Sequence, residues 1–460
     1  MIKITKNLPY YFFIFFLFFL NNLHADECRP DFEIKKSSGI ATAIDTEKNS
    51  VFVYFDGSLS MQGYVKDQPG LKNLYINVID DLQQISENVG SKTYYHRFGS
   101  RIEPIKENAI ANVIKPSFYV CKDTVAKCNN QETRIELPFK AAKANKDGTY
   151  IIVTDLFLSS KQLVGSTLSS LTKPLKSILK SGKSIGIFGV MSSFNGTIYD
   201  IPTREGGTIK YSEAQKRPFY IIVIGDQTKI NKIRKNLEKQ HFIDEEDRYK
   251  FALITSTPII ENLNVNKKIT EDSMVARKIS KERKLKFKYA EDYLPTYEFD
   301  ANKKTRIALK FKNSEWKVSG SNGISKFSLE ESLWSTKEFK CKNIDNWDKA
   351  KIKEISEPKQ GEKDLSINFF KKFKLDSLLR DRKYYYYAEL YADEPGTVLE
   401  DEFNEWSVRD SEAQELRDQN PVEFKTLNLT KIIKILNAVA NDSFQRTLIA
   451  SVALNFNLIK

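Results

Sequence analysis

At 460 residues the chain is long enough to bury a sizeable core, and ordinary domain sizes favour two domains over one or three. Its formal charge of +12 comes from lysines and acids interspersed through most of the sequence. That pattern reads as a solvated surface, with attraction to anionic envelope polymers or lipid headgroups as the sharper alternative. No nucleic-acid recognition motif is present, and an exported chain would be removed from most nucleic acid, so nucleic-acid binding is set aside.

Residues 1–25 read as a cleaved secretory signal. "MIKITKN" supplies two lysines and no acid, "LPYYFFIFFLFFL" is a short apolar run, and "NNLHA" ends in a small residue suited to signal peptidase. The run is too short for a comfortable transmembrane helix and polar residues follow it, so no stable span is expected after cleavage at Ala25. An uncleaved anchor is the competing reading, and a lipidated Cys28 is disfavoured because no small residue precedes it. Loss of Lys3 and Lys6 takes two charges from +12 and leaves +10. The expected location is the periplasm or the cell surface.

All four cysteines, Cys28, Cys121, Cys128 and Cys341, survive cleavage, and an even count suits two disulfides in an oxidising compartment. Cys121 and Cys128 enclose the short loop "KDTVAK" and are the easiest pair to close, which leaves Cys28 with Cys341. Three pairings satisfy the count, and the sequence does not choose among them. No C-x-x-C spacing is present, so a cysteine zinc site is not expected.

After an N-terminal segment over 26–44, residues 45–241 read as one α/β domain. "VFVYF" (51–55) is continuously apolar, as a strand buried on both faces should be. In the next segment Leu71, Leu74, Val78, Leu82, Ile85 and Val89 recur at helical spacing. "KTYYHRFGS" reads as a second strand, and "RIELPFKAAKAN" as a short helix with Pro138 in its first turn. "TYIIVTD" is a third strand, followed by helical "STLSSLTKPLKSILKSG". "KSIGIFGVM" and "RPFYIIVIGD" are further strands, the latter leading into a helix with Ile230, Ile233 and Leu237 inward. This alternation predicts an open, mostly parallel sheet with helices on both faces. Between the last two strands, Asn-Gly and Gly-Gly signals replace the expected helix, so a hairpin or flap is predicted there.

Residues 242–249 read as a charged linker, and 250–460 as a β-rich, sandwich-like second domain with one or two terminal helices. Its apolar runs are "FALITSTPII", "RIALKFK", "LSINFFKKF" and "KYYYYAELYA", spaced by polar turns. Tyr384 to Tyr387 read as a strand with two filled faces. "NLTKIIKILNAV" reads as a helix, and "TLIASVALNFNLIK" as helix or strand. The acidic segment "EDEFNEWSVRDSEAQE" lacks calcium-loop spacing and reads as a solvated edge.

The chemistry gathers at "FDGSLSM". Asp56, Ser58 and Ser60 follow the first strand, at the carboxyl end where open α/β sheets place ligands. One acid and two hydroxyls spaced by single residues can direct three hard oxygens at a point, which suits Mg2+, Mn2+ or Ca2+. Asp155 ends the third strand, so a parallel sheet would bring it to the same edge. The competing reading is local: acids and serines also favour turns by hydrogen-bonding their own backbone.

"VFVYFDGSLSM", the amphipathic helix after it and the later "VTD" together resemble a von Willebrand factor A domain, the fold of integrin inserted domains. The resemblance covers roughly the first half of the mature chain. It implies a metal-ion-dependent adhesion site in which Asp56, Ser58 and Ser60 form the first element and Asp155 the last. Thr133, ahead of the short helix, is the best match for the family's threonine, with Thr124 and Ser100 as runners-up. Cys121 and Cys128 stand where many members have a glycine-rich turn. The implied cofactor is Mg2+, with Mn2+ or Ca2+ as alternatives, and the implied partner is a protein presenting a carboxylate.

Enzyme readings fare worse. "YFDGSL" invites comparison with aspartate-nucleophile phosphotransferases, but Tyr54 occupies the nucleophile's place. Only His96 and His241 remain after cleavage, neither beside an obvious nucleophile, and no G-x-S-x-G, H-E-x-x-H or phosphate loop is present. Metal-assisted hydrolysis at Asp56 and Asp155 is the residual enzymatic reading. The leading expectation is an exported, metal-dependent binding or adhesion module. The alternative is a structural envelope protein with a metal-free domain of this type and a basic surface for anionic polymers.

Overall fold

A computed structural model describes residues 50–66, 73–120, 129–130, 132–145, 147–156, 166–201, 207–210, 215–242 and 248–256. Beyond these it describes 266–271, 274–275, 285–287, 290–294, 296–300, 305–312, 327–336, 348–350, 359–360, 366–373, 382–393, 403–409, 412–413 and 425–459. The signal segment, all four cysteines, Leu71 and Thr124 lie outside the described residues.

The first half opens with β1 (Val51–Asp56), α1 (Leu74–Val89), β2 (Thr93–Phe98) and β3 (Ile102–Pro104). Then come α2 (Ala109–Val113), α3 (Glu136–Ala144), β4 (Thr149–Thr154) and α4 (Ser166–Lys180). β5 (Ser184–Phe194), the two-stranded flap of β6 (Thr197–Ile201) and β7 (Gly207–Lys210), and β8 (Gln215–Gly225) follow. α5 (Gln227–Leu237) and β9 (Tyr249–Ile254) complete the series. Seven strands form one sheet in the order β3-β2-β1-β4-β8-β5-β9.

Alternation along the central strands divides the core in two. Val51, Val53 and Phe55 of β1, with Ile151 and Val153 of β4, pack beneath α1 and α5. Tyr54, Tyr150 and Ile152 face the other way, toward α3 and α4. Side chains of successive strand residues point to opposite faces, so a continuously apolar strand must be covered on both. At the start of α1, the Asn73 side chain accepts from the Ile76 N–H at 3.2 Å and satisfies one orphan donor of the first turn.

The sheet is mixed, not mostly parallel. β1 pairs in parallel with β2 and β4, whereas β2–β3, β4–β8, β5–β8 and β5–β9 are antiparallel. The cause lies between β5 and β8. A parallel return needs a crossover of a dozen or more residues, usually a helix. Here the chain makes the β6–β7 hairpin, so β8 comes back antiparallel and inserts between β4 and β5.

The expected linker and the start of the second domain also differ. Glu238–Phe242 continues α5 as a wider helical turn, and Tyr249–Ile254 is an edge strand of the first sheet, paired with β5. The helix expected in the second domain, α6 (Leu429–Ser443), packs instead with α4 on the first sheet's face. Ile432, Ile433, Leu436 and Val439 enter the same core as Leu171, Leu175 and Ile178. Phe403 and Trp406 lie against Gly189 of β5, where a Cβ would come within 2.8 Å of the indole. Tyr220 and Thr426 share a hydroxyl hydrogen bond of 2.8 Å. Four amphipathic helical turns have to bury their apolar stripe, and the face left beside α4 receives it.

Most of the remaining strands build two five-stranded sheets. One joins Met274–Val275, Asn266–Glu271, Thr305–Lys312, Ser366–Phe373 and Lys359–Gln360, all antiparallel. The other joins Thr296–Asp300, Thr447–Ile459, Lys383–Ala392, Phe327–Thr336 and Asp348–Ala350, with only the first pairing parallel. The last long segment is thus strand and not helix. Tyr384 to Tyr387 are all buried. Among the described residues no helix is long and apolar enough to cross a membrane.

The return of α6 yields a test. Ile433 is 1% exposed. Truncation in Ile433→Ala should cost about 2–4 kcal/mol, and it should speed amide exchange in α4 and β5 as well as in α6. Acceleration confined to α6 would show that the helix is not part of the first core.

Candidate functional site

β1 and β4 are parallel neighbours in the order β2-β1-β4, and the chain leaves them toward opposite faces, the position at which open α/β sheets place ligands. The register Phe55↔Val153 puts Asp56 beside Thr154, with Asp155 next in sequence. Both aspartates are buried, at 0% and 1% exposure. Two carboxylates at one dry edge demand partners.

Three donor groups converge on Asp56. Its Oδ1 accepts from the Ser58 backbone N–H at 2.9 Å, and its Oδ2 accepts from the Thr154 hydroxyl at 2.7 Å. The Thr133 hydroxyl lies 3.2 Å from Oδ2 and 3.3 Å from Oδ1. Ser58 and Ser60 share a hydroxyl hydrogen bond of 3.0 Å. The structure therefore gathers Asp56, Ser58, Ser60 and Thr133. The Ser58 side chain makes no capping bond to a backbone N–H of the short helical turn Leu59–Tyr64 that it precedes. The Ser58 N–H bond to Asp56 and the Ser58–Ser60 bond are features that purely local turn chemistry would also give, whereas the Thr133 and Thr154 bonds are not.

Asp155 stands differently. Arg217 Nη2 donates to its Oδ2 at 2.9 Å, and both side chains are 1% exposed. The guanidinium lies over the rings of Phe194 and Tyr64, with centroids at 4.9 and 5.9 Å. Arg217 reaches this edge because β8 is antiparallel. Tyr220 pairs with Thr154, so residues earlier in β8 extend past the carboxyl end of β4.

The loop carrying Thr133 is pinned at close range. Asn130 O accepts from the Leu59 N–H at 3.2 Å, and Asn129 Oδ1 accepts from the Ser100 hydroxyl at 3.1 Å and the Arg101 N–H at 2.9 Å. Ser100 is thereby engaged away from Asp56. A Cβ at Gly99 would lie 1.8 Å from Asn129 O, so glycine is required for this approach. Gly57 has a similar reason: a Cβ there would meet Arg97 Nε at 2.2 Å, while Arg97 Nη2 donates to Gly57 O at 3.1 Å.

Burial, joined by the charge of Asp155, pushes the Asp56 carboxyl up to about 6, against the opposing pull of the Ser58 N–H and the Thr154 hydroxyl. Burial also drives the neighbouring Tyr64 and Tyr75 hydroxyls well above their ordinary range. Above this range of pH the edge holds two negative charges and one positive, out of contact with water. The donors fit a small hard cation, because they are carboxylate and hydroxyl oxygens, and a cation would relieve the surplus negative charge. Among the described residues no three His, Cys, Asp or Glu side chains are grouped as a metal site, so hydroxyls must supply most of such a shell.

Sequence reasoning missed Thr154 and Arg217. Thr154 immediately precedes the acid in "VTD", and Arg217 is a charge opening an otherwise apolar strand; each was visible as a polar residue where burial was expected. No family model matches the sequence, and no curated protein matches it.

The raised Asp56 carboxyl sets a pH dependence. The folded state holds this proton more tightly than the unfolded state, so Asp56 favours folding fully below about pH 4. That contribution is lost as pH rises through about 6. In chelator, Asp56→Asn should gain on the wild type by on the order of 2 kcal/mol between pH 4 and 7, read by urea unfolding at several pH values. A difference independent of pH would place the Asp56 carboxyl in its ordinary range.

Proposed function

We propose that the first half of this chain is an exported binding module of the von Willebrand factor A type, which holds a divalent cation at Asp56 and through it takes an acidic group of a protein partner. Mg2+ is the cation the oxygen donors favour, with Mn2+ or Ca2+ as alternatives. The observation that carries this reading is the convergence of Ser58, Thr133 and Thr154 on one fully buried carboxylate beside a second. Asp56, Ser58, Ser60 and Thr133 would hold the ion. When bound, it would supply an electrophilic centre for a carboxylate from outside.

The chain's own residues prepare for this. Thr154 orients Asp56 from behind, and Gly99 lets the Thr133 loop close on the end of β1. A shell with few protein anions leaves the ion's charge unspent and favours a partner's carboxylate. The mixed sheet, with antiparallel β8 beside β4, is a departure from the mostly parallel sheet expected on this reading.

A second reading is favoured by the Arg217–Asp155 pair. A guanidinium already neutralises one acid, which suits a metal-free structural protein that holds anionic polymers on its basic surface. Binding of that kind would weaken steeply with salt and ignore chelator.

Calorimetric titration with Mg2+ and Mn2+, beside thermal unfolding, separates the two. Saturable binding that raises Tm, is lost in Asp56→Ala and falls about 10-fold in Thr154→Val is the expected result. A folded wild type that responds to neither ion would overturn the metal reading and leave the structural one.

A further inference from the structure

The Arg217–Asp155 ion pair is the feature of this edge that neither the D-x-S-x-S spacing nor the resemblance accounts for. The pair is fully buried, and the guanidinium lies against the adjoining rings of Phe194 and Tyr64. It arrives on β8, the strand whose antiparallel insertion sets this sheet apart. Arg217 also lies opposite Ser192 in the β5–β8 register, and the Ser192 hydroxyl accepts from the Tyr75 N–H at 3.0 Å. Position and packing are thus fixed from both neighbouring strands.

We propose that Arg217 is a resident counter-charge that occupies Asp155 and thereby sets the strength with which the Asp56 edge holds a divalent cation. The inference rests on the metal reading above. Two effects act in the same direction. Asp155 Oδ2 is committed to the guanidinium, so this acid gives the cation less than a free carboxylate would. The guanidinium also repels any cation bound nearby, and repulsion between enclosed charges is much stronger than in water. The cation is therefore held loosely and keeps more of its charge for an anionic partner. Arg217 is a positioning residue here and touches no ligand.

The converse follows from the cost of breaking a buried pair. Removing Arg217 alone strands a buried carboxylate, which destabilises the fold unless another cation takes the guanidinium's place. Stability of such a variant should become metal-dependent. Removing both charges should abolish that dependence.

The test compares wild type, Arg217→Met, Arg217→Lys and the double variant Arg217→Met with Asp155→Asn, each purified as the full chain. Thermal unfolding is read in chelator and in saturating Mg2+, and Mg2+ alone is titrated by calorimetry. Arg217→Met should lose Tm in chelator and regain more on adding Mg2+ than the wild type does. Its Mg2+ affinity should rise at least about tenfold. Arg217→Lys, which keeps the charge, should stay close to wild type in affinity, and the double variant should show no excess rescue.

A folded Arg217→Met with unchanged or weaker Mg2+ affinity overturns the inference and leaves the metal reading standing. So does an Arg217→Met chain that stays unfolded in saturating Mg2+ while Arg217→Lys folds, because a cation would then not replace the guanidinium. Binding by Arg217→Met without binding by the wild type keeps the inference and retires the metal reading for the native chain. Absence of binding in both retires the two together.

Discussion

Charge without water at the carboxyl ends of β1 and β4 is the constraint around which the first half of this protein is arranged. Asp56 and Asp155 sit there at essentially zero exposure, between two apolar cores that offer them nothing. Polar groups from several elements accordingly reach them. Ser58, Thr133 and Thr154 turn to Asp56, and Arg217 turns to Asp155. Burial of an acid without such partners would push its pKa up or unfold the strand ends. Even with them, Asp56 is held well above the ordinary carboxylate range.

The topology supplies those partners. Parallel pairing of β1 with β4 aligns the two acids at one end of the sheet. The antiparallel return of β8 then carries a cation to the same edge, which a helical crossover at that point would not have done. Support comes from far along the chain. Phe403, Trp406 and α6 close the face beside α4, so the packing beneath the site depends on residues far along the chain from β9, the sheet's last edge. Apart from Thr447–Ile459, the strands of the two five-stranded sheets lie in sequence between β9 and Phe403.

Individual segments show how legibility varied. α1 was readable because Leu74, Val78, Leu82, Ile85 and Val89 recur at helical spacing and bury one face, and a period of that kind needs no knowledge of neighbours. The flap was readable because Asn-Gly and Gly-Gly state their turns locally. "FALITS" and "NLTKIIKILNAV" form the strand and the helix that their patterns predict but join the first sheet and its core, since an apolar face does not say which core will cover it. "TLIASVALNFNLIK" was left between helix and strand by its own composition, and pairing with Lys383–Ala392 decided it.

The sequence by itself determined the local chemistry: the strand that ends in Asp56, the single-residue spacing of its hydroxyls, and the second acid after "VT". These follow from short-range periodicity and from which side chains carry oxygen. Only the tertiary structure decided that Thr154 backs Asp56, that Ser100 turns to Asn129, and that Arg217 neutralises Asp155. Those pairings depend on strand direction and register, which bring together residues 98 and 62 positions apart through backbone hydrogen bonds that no local pattern encodes.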